Sequence, residues 1–103
     1  MTKGGDAVLR QYELMTIHRP ELTEGQYREK VSELSEFLAG QGAVNQETDP
    51  WGKRRLAYKI DHVSEGYYTV NRFESEPATV DALRRVLSLA DEVLRHKVVR
   101  PES

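Results

Sequence analysis

Ten consecutive residues, Trp51-Gly52-Lys53-Arg54-Arg55-Leu56-Ala57-Tyr58-Lys59-Ile60, carry four cations and no acid. An arginine fork can hold two phosphate oxygens at once, and a lysine adds a compact point charge. Cations clustered on what reads as a β-strand therefore point to a polyanion surface, most simply RNA. A strand at a sheet edge also uses cations to discourage edge-to-edge aggregation. One or two would suffice for that, whereas Lys53, Arg54 and Arg55 are consecutive and must point to both sides of the strand. Arg95, Lys97 and Arg100 form a second basic group. Trp51 is either a plug beneath a bend or an exposed anchor for a partner; the plug is the expectation.

Other chemistries find little support. The chain has no cysteine, so disulfides, thiolate metal sites and cysteine nucleophiles are excluded. It has no nucleophile elbow, phosphate-binding loop or dinucleotide fingerprint. His18, His62 and His96 are dispersed and read as strand or surface residues, so no metal, cofactor or catalytic group is expected. The stretch Glu65-Gly66-Tyr67-Tyr68-Thr69-Val70-Asn71-Arg72-Phe73 departs from an RNA-recognition motif at Glu65, where a cation belongs, and at Thr69, where a base-stacking aromatic belongs. An acyl phosphatase would need an arginine in an anion cradle, yet Arg19 is followed by Pro20 and the opposing charge of Glu21. A regulatory module binding a small ligand would want glycine-rich turns, and Asp61 to Gly66 offers one glycine.

The elements that must position the cations follow from periodicity. Leu9 to Ile17 reads as a strand that His18-Arg19-Pro20 ends. Thr23-Glu24-Gly25-Gln26 fits a capping box, and Tyr27, Val31, Leu34 and Leu38 then recur at helical spacing until Gly40 and Gly42 stop the helix. Ala43 to Glu47 is a short strand candidate, Asp49-Pro50 with Gly52 a bulge or bend, and Arg55 to Ile60 the resumed strand. Asp61 to Gly66 reads as a hairpin connection and Tyr67 to Glu74 as the next strand. Pro77 opens a second helix with Val80, Leu83, Leu87 and Ala90 in its stripe. Val93 to Val99 closes the chain.

The order β-α-β-β-α-β predicts an α+β, ferredoxin-like split βαβ sandwich: a four-stranded antiparallel sheet with two helices on one face. At 103 residues the chain is expected to be one domain over residues 9–100, with a flexible extension at 1–8 and a short tail at 101–103. The net charge is −2, with five glutamates between Glu21 and Glu36, so a polyanion must be met by local rather than total charge. No apolar run reaches the roughly 20 residues that cross a bilayer, and the start is too polar for a signal peptide, so the cytoplasm is the expected location.

Tyr12-Glu13, the run Trp51 to Ile60, Glu65-Gly66-Tyr67-Tyr68 and the segment Leu89 to Arg100 together resemble the bacterial small-subunit ribosomal protein six family, across residues 9–100. The resemblance implies a structural, non-enzymatic protein. It would bind small-subunit ribosomal RNA together with ribosomal protein eighteen as the platform assembles. Arg54 and Arg55 match the paired arginines of the family motif, Tyr58 its tyrosine, and Arg10 a cation near the N-terminus. The implied RNA contacts are Arg10, Lys53, Arg54, Arg55, Lys59, Arg95 and Lys97. The implied protein-partner contacts are Trp51, Leu56, Tyr58 and Tyr67. Gln11 stands where some members have a second cation, which removes one phosphate contact. Without the acidic tail of some members, no tail modification is expected.

Overall fold

The computed structural model describes residues 8–101. Most of the extension expected at residues 1–8, and the last two residues of the tail, lie outside the described residues. The elements run β1 (Arg10–His18), α1 (Glu24–Gly40), β2 (Val44–Ile60), β3 (Val63–Ser75), α2 (Pro77–Leu89) and β4 (Val93–Val99). The strands form one antiparallel sheet in the order β2-β3-β1-β4. This is the split βαβ arrangement expected from the element order.

Local chemistry explains the helices. The Thr23 hydroxyl accepts from the Gln26 amide at 3.1 Å, and the Gln26 side chain accepts from the Thr23 amide at 2.9 Å. This reciprocal box satisfies two otherwise orphaned donors. Gly42, at φ +93°, takes the left-handed conformation just past the end of α1. Pro77 sits in the first turn of α2, where a missing amide costs nothing.

Period-two alternation along β1 sends Tyr12, Leu14, Thr16 and His18 to the helix side, all buried. There Tyr12, Leu14 and Phe73 of the sheet meet Leu34 and Leu38 of α1 and Val80, Leu83 and Leu87 of α2 in one core cluster. Each fully buried leucine contributes about 1.5–3 kcal/mol. On the same side the Tyr27 ring stacks on Tyr67 at 4.4 Å, and its hydroxyl donates to the Tyr68 carbonyl at 2.7 Å.

Two expectations are corrected. The strand expected in two pieces around Pro50 is one strand of 17 residues, because bulges absorb the irregular residues without breaking the ladder. The connection expected over Asp61 to Gly66 shrinks to Asp61 and His62. Both have positive φ, at 52° and 65°, as a two-residue hairpin turn requires. Ser64, Glu65 and Gly66 belong to β3.

Candidate nucleic-acid and partner interface

The β2–β3 hairpin is longer than the rest of the sheet. Pairing of β3 with β1 stops at His18↔Tyr67, so the arm from Arg54 to Gly66 continues without β1 beneath it in the ladder. Two bulges shape this arm. Between Pro50↔Thr69 and Gly52↔Tyr68, β2 carries one extra residue, Trp51, with Gly52 at φ +85°. Between Arg55↔Glu65 and Ile60↔Val63, β2 takes five steps where β3 takes two. The surplus lies in Leu56-Ala57-Tyr58-Lys59, which leaves the ladder and folds toward the sheet.

Trp51 is 43% exposed, which overturns the expectation of a plug. The bulge sets it on the sheet face opposite the helices, where no third layer exists to cover it. Its ring stacks on Tyr68 (centroids 6.1 Å apart, 13° between planes), and its Nε1 donates to the Asp49 carboxylate at 3.1 Å. The Arg54 guanidinium lies 5.8 Å from the indole centroid, and its Nε donates to the Trp51 carbonyl at 3.3 Å. The indole is thus exposed but held in orientation.

Leu56 is only 7% exposed. With Ala57, Tyr58 and Ile60 it forms one wall of a trough of about 220 Å³, whose floor is Met15, Ile17 and Tyr68 and whose far wall carries Arg95 and Lys97. β2 and β4 are opposite edges of the sheet, so the arm must curl across the open face to share a trough with β4. Ile17 shows the same curl: its register places it on the open face, yet it is 7% exposed. At the arm's tip Asp61 meets the Arg19 guanidinium at 3.6 Å, and Arg19 Nε donates to the Asp91 carbonyl at 2.7 Å. Both ends of the Arg19 guanidinium are engaged, so it is not the open anion cradle that acyl-phosphate chemistry needs.

Among the described residues some cations are paired and others are not, and the unpaired ones include Arg84 and Arg85 of α2 as well as those of the arm and β4. Arg19, Arg28, Lys30 and Arg72 each have a carboxylate partner. Among the described residues Lys53, Arg54, Arg55, Lys59, Arg95 and Lys97 have no carboxylate within 4.0 Å. All six are exposed. Arg54, Arg95 and Lys97 fall on the open face by register, opposite Gly66, Ile17 and Met15 respectively, while Lys53 and Arg55 point the other way.

Two of the expected site residues are placed differently. Tyr67 is buried on the helix side and its hydroxyl donates to the Leu22 carbonyl at 3.0 Å. It therefore supports the surface from beneath, with the Lys53 ammonium 5.2 Å from its ring centroid, rather than presenting itself to a partner. Arg10 pairs with Ser75 at the opposite end of β1 from the arm, so the structure does not bring it to the others. Conversely, Met15, Ile17 and Tyr68 line the trough without having been singled out. Their signal was apolar residues at the outward register of β1 and β3, where an uncovered face would be polar.

No group of three or more histidine or carboxylate residues is placed to hold a metal ion among the described residues. No helix among them is long and apolar enough to cross a membrane. His18 is 2% exposed, and its Nδ1 has no partner. Burial lowers its pKa; Glu92 pulls the other way and Lys30 adds to the lowering. It sits on the helix side, away from the trough.

A sequence model of the ribosomal protein S6 family matches residues 11–100. Small ribosomal subunit protein bS6 of Symbiobacterium thermophilum is 42% identical over 93 residues, covering 90% of this chain and 98% of that protein. The bS6 protein of Paenarthrobacter aurescens is 40% identical over 94 residues, covering 91% and 93%. The crystal structure of 30S ribosomal protein S6 from Thermotoga maritima superposes with a TM-score of 0.82 at 25% identity, covering 90% of this chain and 88% of that one.

Proposed function

The chain belongs to the ribosomal protein S6 family, and on that premise we propose that it binds small-subunit ribosomal RNA jointly with ribosomal protein eighteen during assembly of the subunit platform. As a small-subunit ribosomal protein it is a structural component of the ribosome and not an enzyme.

One observation carries the reading: six exposed cations of the arm and β4 have no carboxylate partner among the described residues, and two of them, Arg95 and Lys97, line an apolar trough. A cation already paired with a carboxylate must break that pair to meet a phosphate, whereas these six need only shed water and counterions. Lys53, Arg55 and Lys59 supply charge along the arm and Arg54 at its junction with the sheet. Arg95 and Lys97 supply it across the trough. These contacts position the domain on the RNA backbone without reading sequence. Arg10, at the far end of β1, makes a separate phosphate contact. The protein partner takes the exposed surface of Trp51 and Tyr58, with buried Leu56 and Tyr67 holding that surface from below.

The net charge of −2 makes RNA affinity of the isolated chain weak and gives the partner its role in completing the site. The test is fluorescence anisotropy with small-subunit ribosomal RNA, with and without ribosomal protein eighteen, over a salt series. Tight, salt-sensitive binding is expected only with the partner present. Replacing Lys53, Arg54 and Arg55 together by alanine lowers the affinity by about 100-fold and flattens the salt slope by about two to three units. A flat salt response, or unchanged binding by that variant, would sink the reading.

A further inference from the structure

We infer that Gly66 is the positioning residue of the interface: by lacking a side chain it lets the cationic arm settle onto the sheet and fixes the width of the trough. The inference rests on the reading of the arm as the RNA and partner surface, and extends it to a residue that touches neither.

Glycine at this position is not explained by backbone conformation. Gly42 and Gly52 have φ of +93° and +85°, but Gly66 has an ordinary φ inside a strand. What singles it out is close approach. A Cβ built there would stand 2.6 Å from Ile17 Cγ2, 2.9 Å from the His18 carbonyl oxygen and 3.6 Å from Leu94 Cδ1. By contrast a Cβ on Gly40 or Gly52 would meet nothing within 4 Å.

Neither of the two short contacts relaxes easily. The His18 oxygen is backbone within a paired strand. Ile17 is β-branched, so its χ1 choices are few, and it is buried under the arm. A methyl at position 66 must therefore push β3 away from β1.

Position 66 is also where such a push does most. It is the first residue of β3 beyond the pairing with β1, which stops at Tyr67. It also pairs across the hairpin with Arg54. A displacement here leaves the nine-residue β1–β3 ladder in place and lifts what lies beyond it. Leu56 then moves off the trough floor, the trough opens, and the cations of the arm lose their spacing to Arg95 and Lys97. The ion pair of Arg19 with Asp61 at the tip is a surface pair, worth about 0–1 kcal/mol, and does not hold the arm down alone.

The experiment compares Gly66→Ala with Gly40→Ala, a glycine with open space around it that lies outside the interface. Each variant is taken through far-UV circular dichroism, thermal melting, methyl NMR and anisotropy with small-subunit ribosomal RNA plus ribosomal protein eighteen. Gly66→Ala is expected to keep its circular dichroism, shift the methyl resonances of the trough residues Ile17 and Leu56 and bind about tenfold more weakly. Gly40→Ala is expected to keep wild-type methyl shifts and affinity. Unchanged Leu56 methyl shifts in Gly66→Ala, or changed shifts with wild-type affinity, would overturn the inference. Failure of the wild-type protein to bind RNA overturns the functional reading instead, and the Leu56 methyl shifts still decide whether Gly66 seats the arm. Should Gly66→Ala not fold, Ile17→Ala empties the seat from the other side without adding an atom. Ile17 lies outside the helix-side core cluster, so the expected result is a folded protein with weakened binding, and wild-type affinity would overturn the inference.

Discussion

The two faces of the sheet are built on opposite rules. On the helix side Leu14, Phe73, Leu34, Leu38, Leu83 and Leu87 close an apolar core, and Lys30 at its margin is paired with Glu33 and Glu92. On the other side a hairpin arm stands in for a second layer, shares a trough with Ile17 through Leu56, and leaves its cations without acids. The first face is completed within the chain. On the second, the proposed function has an RNA and a protein partner meet the cations and the apolar surface that the chain itself leaves uncovered.

The largest effect that separates the faces is a cavity on each. Leu83→Ala empties a fully buried site between α2 and the sheet and costs about 3–5 kcal/mol of unfolding free energy. Leu56→Ala removes a similar volume from the arm, which can collapse onto the sheet, and costs about 1–2 kcal/mol while weakening RNA binding with the partner present. Urea titration of both variants checks this; equal costs would mean that the arm is as integral to folding as the core.

An intermediate effect is the pH dependence of the helix side. Burial holds His18 below its ordinary 6.5, with Glu92 opposing and Lys30 reinforcing, and burial with Arg84 holds His96 below it too. Below 6.5 the unfolded chain takes up these protons before the native one does. The stability they contribute is therefore full above 6.5 and is lost as pH falls through the lowered native values. Urea midpoints measured from about pH 7.5 down to about pH 5 should fall, and less steeply in His18→Gln, with the slope left by His96 remaining. A midpoint that rises on acidification would contradict the burial of His18.

The smallest effect belongs to the arm's turn. His62 sits at φ +65°, where an L-residue with a bulky ring is strained. His62→Gly should relieve that strain, stabilising the hairpin by up to about 1 kcal/mol. Slower amide exchange of Ile60 and Val63 would register it; unchanged or faster exchange would place the strain elsewhere.

Much of this was legible in the chain. The capping box at Thr23 and Gln26, the stripe of α1 and Pro77 at the start of α2 are local signals, and the structure places each where the pattern did. Trp51 was not legible. Whether a tryptophan beside a bend goes inward depends on which side of the sheet the bulge turns it to, and that depends on the pairing partner. Tyr67 was misread for a related reason. Its neighbours in sequence are Glu65, Gly66, Tyr68 and Thr69, but its neighbours in space are Tyr27 and the Leu22 carbonyl, 40 and 45 positions away. Gly66 read as a loop glycine, because a sequence shows that a side chain is missing without showing what would have struck it.

By itself the sequence determined the order of the elements, the helix-side core and the concentration of cations between Trp51 and Ile60, since these follow from short-range periodicity and composition. Only the tertiary structure decided that the arm of β2 reaches across the open face to share a trough with β4. That outcome depends on three surplus residues of β2 having no partner in β3, and on β3 passing Ile17 and His18 at a distance only glycine allows. Both are relations between segments far apart in the chain, which no window of local sequence contains.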